Sequence, residues 1–383
     1  MLDVSRLVWR LWRGRLPTGI DRVCLAYLDE FARDSLAMLQ WRDRRAVLGP
    51  ARSDRLFALL AGGVDGLDKR ALVRLVAGAL PAAGMGRRDL GGRIYLNVGH
   101  TGLNVDSLPG WLERRNLRAV YLVHDLIPVT HPQYCREGEA GRHTQRMANA
   151  LQSAAGIIVN SADTGNELRH FAHARSLPFP PQLVAHLGIE PLRRPGGPSP
   201  HPRPYYLCLG TIEARKNHIG LLEAWDLVRA RLGEDAPDLV VIGQRGWEAG
   251  EAIARLDRPQ PPHGRIVEMS RCDDGQLAAW ITHARALLMP SHVEGYGLPV
   301  LEALSLGTPV LARDLEVFRE IAGDIPTLLP EAPAAWADAI AEDLAGGADR
   351  ARQLQGLHGY TPPSWAGHFA AVRDWLARLP AHR

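Results

Sequence analysis

The sequence predicts an α/β protein of two parallel-sheet domains, and three observations carry that prediction. Short apolar runs bounded by turn residues alternate with longer helical patterns along the chain. The runs are continuously apolar, as strands covered by helices on both faces are. A stretch at 191–204, PLRRPGGPSPHPRP, has no periodicity and separates two such series. The halves therefore read as two α/β domains facing one another across a cleft. Length agrees, because 383 residues at 46% hydrophobic and 23% charged suit about two soluble domains.

Strand candidates in the first half are 93–98 (RIYLNV), 118–123 (RAVYLV) and 156–160 (GIIVN). In the second half they are 205–209, 238–242, 264–268, 285–289 and 308–312. Helical patterns lie between them at 20–33, 138–153, 218–232, 274–283, 298–306 and 333–345. This places an N-terminal domain at 1–195 and a C-terminal domain at 204–358. The tail carries Trp365, Phe369, Val372, Trp375 and Leu376 near one face of an amphipathic helix.

Composition excludes several classes. No run of about 18 apolar residues is present, so a membrane span is not expected, and the opening segment lacks the apolar core of a secretory signal. Cys24, Cys135, Cys208 and Cys272 stand far apart, which argues against a zinc knuckle or disulfide framework and for a reducing cytoplasm. A formal charge of +3 and the lack of a basic, aromatic-interleaved stripe argue against nucleic acid as a partner. Arg6, Arg10, Arg13 and Arg15 beside Trp9 and Trp12 admit two readings. One is a first strand and loop with solvated arginines. The other is a peripheral contact with anionic lipid head groups, at the inner face of the membrane, or with a lipid diphosphate acceptor.

The densest signal is PSHVEGYGLPVLEAL from Pro290. A strand ends near Met289, a loop with two glycines follows, and a helix starts near Leu298. Gly295 and Gly297 let backbone approach a ligand, and the first amides of the helix can hold phosphate. Glu294 and Glu302, eight positions apart, suit sugar and ribose hydroxyls. The second signal is LGTIEARKNH from Leu209. A strand end, Gly210, and then Arg215-Lys216 at a helix start make a diphosphate grip, the arginine as a fork and the lysine as a point charge. Lys216 is one of two lysines in the chain, with Lys69.

These motifs resemble the retaining glycosyltransferases of family 4, which have the two-Rossmann GT-B fold. EGYGLPVLEAL resembles that family's E-x7-E segment, GTIEARKNH its diphosphate-binding loop, and GTPVLARDLEVFREIAGD the segment after E-x7-E. PTGIDRV resembles its glycine loop and VHDLIP its histidine-containing strand end. The resemblance implies two Rossmann-like domains with parallel sheets facing a central cleft. The N-terminal one would bind acceptor, with the helix at 360–383 packed back on it, and the C-terminal one would bind the nucleotide sugar.

It also implies roles. Glu294 would hold hydroxyls of the transferred sugar, Glu302 the ribose, and Arg215 and Lys216 the leaving diphosphate. Gly210 and Thr211 would border the phosphates, and Gly295, Tyr296, Gly297 and Leu298 would offer amides to sugar and phosphate. Gly19 would approach from the other domain, and His124 would sit over the donor sugar, with His100 a candidate for the acceptor side. Many relatives have arginine where this chain has Thr211, so one phosphate cation is missing or comes from elsewhere.

The implied activity moves a hexose, with a lean to mannose, from a nucleoside-diphosphate sugar to a glycan or lipid-linked acceptor in bacterial capsule, O-antigen or lipopolysaccharide synthesis. The donor is a substrate, and no cofactor is expected. No Asp-x-Asp occurs in the chain, so a protein-based positive clamp is expected in place of a metal. Configuration would be retained by front-face attack, the leaving phosphate taking the acceptor proton. The alternatives are a GT-B epimerase or phosphorylase, or a non-catalytic sugar-nucleotide binder. A dinucleotide dehydrogenase is disfavoured, since no G-x-G-x-x-G opens a strand-to-helix unit.

Overall fold

Apolar strands and their covering helices form two separate sheets in the computed structural model, which describes residues 1–14, 19–62, 69–77, 90–190 and 192–380. Arg15 of the opening segment, Pro17 and Thr18 of the glycine loop, and Pro191 lie outside the described residues. The first sheet contains β1 (Leu2–Asp3), β2 (Ala37–Trp41), β3 (Arg44–Val47), β4 (Ile94–Asn97), β5 (Arg118–Val123), β6 (Ala154–Val159) and β7 (Gln182–Val184). Their spatial order is β3-β2-β1-β4-β5-β6-β7. The second contains β8 (Tyr205–Leu209), β9 (Asp238–Ile242), β10 (Ile266–Met269), β11 (Leu287–Met289), β12 (Val310–Arg313) and β13 (Thr327–Leu329). Its order is β10-β9-β8-β11-β12-β13.

Every pairing in the second sheet is parallel. The first sheet departs from the all-parallel expectation, because β2 and β3 form an antiparallel hairpin at its edge. Only Arg42 and Asp43 join these strands, too few residues for the crossover that a parallel pair needs. Arg42 turns the chain there at φ 54°.

Each sheet buries its own core. Tyr206, Trp225, Leu239, Val241, Leu288 and Ile340 sit in one cluster of the second sheet, all at most 1% exposed. It joins the sheet to the helices His218–Leu232 and Pro333–Leu344. Tyr95, Leu103, Leu108 and Tyr121 are fully buried in the first sheet's cluster. A fully buried large apolar side chain contributes roughly 1.5–3 kcal/mol, so these clusters fix where the strand ends stand.

The chain divides into two units. The first holds Met1–Val129, Ala140–Leu187 and Trp365–Arg383, and the second holds Thr130–Glu139 and Gly188–Ser364. The division falls between Leu187 and Gly188, just before the proline-rich stretch. Ile189 N donates to Pro363 O (3.3 Å), His201 Nε2 meets Asp238 Oδ2 (2.8 Å), and Arg203 Nη2 donates to Ala236 O (2.9 Å). Residues 201–203 are thereby tied to the second unit. The helix Trp365–Arg378 belongs to the first: Phe369 packs edge-on to Tyr27 (5.1 Å), and Tyr27 Oη bonds His368 Nε2 (2.8 Å).

The opening segment is not a strand followed by a loop of solvated arginines. After the two residues of β1 it forms the helix Ser5–Trp12, with Leu7, Val8 and Leu11 buried. Arg6 and Arg10 both turn to the Asp21 carboxylate, at 2.6 and 2.9 Å. Asp21 is 1% exposed, and a carboxylate so buried requires paired cations. Among the described residues no helix is long and apolar enough to cross a membrane.

Candidate active site

The second sheet has the doubly wound order in which the first and fourth strands are neighbours and the connections leave to opposite sides. A crevice opens at the carboxyl ends of those two strands, here β8 and β11. The loops that leave these ends are the two singled out by sequence, 210–217 and 290–297.

They are stitched together. His292 N donates to Arg215 O at 2.8 Å, and Asn217 Nδ2 donates to Pro290 O at 3.2 Å. Asn217 stands at φ 53° and caps the helix His218–Leu232 by accepting from Gly220 N. Glu294 accepts from Arg215 Nη1 (2.9 Å), from Ser291 Oγ (2.7 Å) and from Lys216 Nζ. Arg215 Nε is held from its other side by Glu213 Oε1 at 2.6 Å. Two cations therefore meet two carboxylates, and the constellation is locally neutral.

Burial pushes the Glu294 carboxyl up, but Lys216 and then Arg215, with hydrogen bonds from Lys216 and Ser291, outweigh it and bring the pKa to about 2. Gly210, at φ 130°, lets the lysine in, since a β-carbon there would lie 3.2 Å from Lys216 Cε. Thr211 follows it at the mouth of the loop.

Gly297, at φ 107°, caps the helix Leu298–Ser305. Pro299 carries no N–H and Val300 N donates to Gly297 O (3.0 Å), so in the first turn of that helix the Leu298 amide is the one that can face an anion. Gly295 is half-buried, Tyr296 is buried, and Glu302 is buried one turn into the helix. Thus ten of the twelve predicted site residues lie on the second unit around one crevice, and Gly19 and His124 lie on the first. Gly19 is the first residue of the helix Gly19–Phe31.

His124 directly follows β5, 5% exposed, with Nε2 2.7 Å from Val98 O. A carbonyl only accepts, so the neutral ring carries its proton on Nε2 and offers Nδ1 as an acceptor. Burial lowers its pKa to about 4, so the ring is neutral at physiological pH. His100 stands 5.1 Å away, ring to ring, with Nε2 on Leu122 O (2.8 Å). His143 lies 6.0 Å from His100 and bonds Asp125 O through Nε2.

Residues 203–345 match the family described as "Glycosyl transferases group 1". Serotype-specific mannosyltransferase WbdA of Escherichia coli is 29% identical over 248 residues, 59% of this chain and 30% of that protein. O-antigen chain mannosyltransferase B of Escherichia coli is 30% identical over 222 residues, 56% of this chain and 58% of that one. The chain thus spans less than two thirds of either relative. D-inositol 3-phosphate glycosyltransferase of Xylanimonas cellulosilytica is 25% identical over 355 residues, 86% of this chain and 83% of that protein. Among solved structures, Anabaena HepE in complex with UDP-glucose superimposes with TM-score 0.65 at 16% identity, covering 95% of this chain and 97% of that one. Sucrose-phosphate synthase from Thermosynechococcus elongatus gives 0.55 at 19% identity over 80% and 78%. At such identities the likeness is one of fold. The fold is GT-B.

Three parts of the site escaped the sequence reading. Glu213 was inside the quoted motif, two positions before the arginine it holds, a spacing with no regular face to flag it. Ser291 was visible only as a small residue after Pro290. The segment Thr130–Glu139 gave no signal, yet Tyr134 stacks on His292 at 4.8 Å and 2°, and His292 Nδ1 meets Glu331 Oε1 at 2.9 Å.

Proposed function

We propose that this chain is a retaining hexosyltransferase. It moves a hexose, with mannose the preferred reading, from a nucleoside-diphosphate sugar to a glycan or lipid-linked acceptor in bacterial surface polysaccharide synthesis. The observation that carries the reading is the joining of Arg215, Lys216 and Glu294 at the mouth of the β8–β11 crevice, beside the helix start at Leu298. The similarity of residues 203–345 to group 1 glycosyltransferases and of a larger segment to O-antigen mannosyltransferases supports it.

In this reading the donor diphosphate takes Arg215, Lys216 and the Leu298 amide as its ligands. Glu294 then exchanges part of its ion pairing for hydroxyls of the sugar, and Glu302 holds the ribose. Neutral His124 accepts a sugar hydroxyl at Nδ1 and does not act as an acid. The breaking bond joins the anomeric carbon to phosphate oxygen, and the developing negative charge falls on the oxygens that the cations face. The leaving phosphate takes the acceptor proton on the face where the new bond forms, so the configuration is retained. The acceptor binds the first unit and the donor the second, and the protein works on the cytoplasmic side of the membrane.

The test is a thermal-shift screen of GDP-, UDP-, ADP- and dTDP-sugars, followed by transfer assays with the best donor and proton NMR of the product. A ligand at ~100 times its Kd should stabilise by about 2.7 kcal/mol. Transfer with the donor's anomeric configuration is the expected result. An inverted product overturns retention, and release of free sugar or nucleotide without transfer overturns the transferase reading.

A further inference from the structure

The first sheet has a crevice of its own. β1 and β4 are neighbours whose connections diverge, and a cavity of about 520 Å³ opens beside their carboxyl ends and that of β2. Its walls come from three elements: Trp9 on the helix after β1, Trp41 to Asp43 at the β2–β3 turn, and Thr101, Gly102, Asn104 and Val105 in the loop after β4. Trp9 and Trp41 are 36% and 46% exposed, with rings 6.2 Å apart and tilted by 47°. Large aromatic faces left open to solvent around a cavity mark a binding surface more than a packing accident.

The floor is rigid. Gln40, 3% exposed, has Nε2 within hydrogen-bond reach of Asp3 Oδ2 (2.7 Å), Thr101 O (2.7 Å) and Tyr95 Oη (2.9 Å), which share its two N–H groups, while Arg45 Nε donates to its Oε1 (3.2 Å). The Arg42 guanidinium lies 5.6 Å over the Trp41 ring and steadies it. Apolar ring faces beside Asp43, Thr101 and Asn104 match a pyranose, which has an apolar face of C–H groups and a rim of hydroxyls. Anionic lipid fits less well. The Asp43 carboxylate stands on the wall, and Arg6 and Arg10 of the Trp9 helix are engaged with Asp21.

We propose that this cavity is a subsite for a sugar ring of the acceptor glycan, set back from the hydroxyl that reacts. The proposal rests on the transferase reading above. Thr101 in the wall directly follows His100, whose ring is 5.1 Å from His124, so the cavity lies beside the end of the sheet where His124 stands. A glycan would thread from His124 across His100 to the tryptophans. An acceptor of several sugars therefore gains a contact that a monosaccharide lacks.

The test uses the full chain and calorimetric titration with tetrasaccharides of mannose, glucose and galactose, the tightest binder being carried forward. Trp9→Ala and Trp41→Ala should each raise its Kd about tenfold, which converts to ~1.4 kcal/mol. Trp41→Phe should restore most of the affinity, and the matching monosaccharide should bind all forms equally weakly. Unchanged tetrasaccharide affinity in Trp41→Ala, or no binding of any tetrasaccharide by the wild type, overturns the subsite. So does a loss confined to sedimentation with phosphatidylglycerol–phosphatidylcholine vesicles, which would make the tryptophans a membrane surface. The thermal shift given by nucleoside diphosphates reads the transferase proposal separately, since neither tryptophan belongs to the second unit.

Discussion

Arg215 donates from Nη1 to Glu294 Oε2 across 2.9 Å and so joins the loops that leave β8 and β11. Lys216 and Ser291 converge on the other carboxylate oxygen. Two adjacent cations would repel one another without this carboxylate. Glu294 is thus the counter-ion that holds the proposed phosphate ligands in place, besides being the proposed sugar ligand. A diphosphate entering the crevice would compete with it for the same two cations.

That competition sets opposite expectations for the two glutamates of the motif. Glu294→Gln removes a charge that opposes the diphosphate, so free nucleoside diphosphate should bind at least as tightly as in the wild type. Transfer should fall at least about tenfold, a loss of ~1.4 kcal/mol or more at the transition state. Breaking a buried ion pair costs about 3–5 kcal/mol, and the fold should weaken towards that range. Glu302→Ala should instead weaken the nucleotide by roughly 1.5–3 kcal/mol. Calorimetry with both variants decides, and equal losses of affinity would refute the division.

The parts of this site that could be read from sequence share a physical origin. YYLCL and DLVVI are buried on both faces, so their apolar runs are unbroken and mark β8 and β9 directly. The turn and helix-start chemistry of Gly210, Gly297 and Leu298 is local, and a local signal survives without the fold. What was hidden depends on distant neighbours. The two residues of β1 and the three of β13 are too short to show a period. In β3 the exposed Arg44 and buried Arg45 obscure the edge strand, because Arg45 is held through Nε and Nη1 by Gln40 and Ser107 from elsewhere in the chain. The pairing of Arg6 and Arg10 with Asp21 likewise turned an apparently solvated basic segment into part of a buried ion cluster.

Glycosyl transfer should survive thorough chelation. Arg215 and Lys216 form a cation pair at the crevice, and no Asp-x-Asp occurs in the sequence. Protein cations and helix amides can neutralise a leaving diphosphate as a metal would. Rates in excess EDTA should match those with added magnesium or manganese. Abolition by EDTA and recovery on adding metal would show that a metal ion, not Arg215 and Lys216, neutralises the leaving diphosphate.

Stability should decline on mild acidification because of buried histidines. Burial lowers His124 and His218 to about 4 and takes His100 well below its ordinary value. An unfolded chain protonates these rings near pH 6.5, whereas the folded chain resists until about pH 4, so below 6.5 the unfolded state binds more protons. Each such group then contributes a slope of up to about 1.4 kcal/mol per pH unit, with stability falling as pH falls. Glu294 acts in a lower window: its contribution is complete above the ordinary 4.5 and is lost as pH drops towards 2. Urea midpoints between about pH 7.5 and about pH 5 should fall steadily, and His124→Gln should flatten the slope. A wild-type profile that is level across this range would contradict the burial of neutral rings.

Gly297→Ala should damage both the fold and nucleotide binding, for two separable reasons. The residue sits at φ 107°, where a β-carbon is strained whatever space surrounds it. That carbon would also stand 2.6 Å from Cε1 of Phe318, a fully buried side chain of the helix Glu316–Ala322. Backbone strain of about 1–3 kcal/mol adds to an overpacking cost of similar size. The helix start at Leu298 must shift to relieve either one, and the Leu298 amide then leaves the position proposed for a phosphate ligand. Phe318→Leu in the same chain removes part of the steric term and none of the strain. The double variant should therefore recover some thermal stability relative to Gly297→Ala, while nucleotide affinity stays low. A double-mutant cycle measures that coupling. Full additivity would mean that Phe318 does not confine this turn. Wild-type nucleotide affinity in Gly297→Ala would mean that the helix start is not a phosphate ligand.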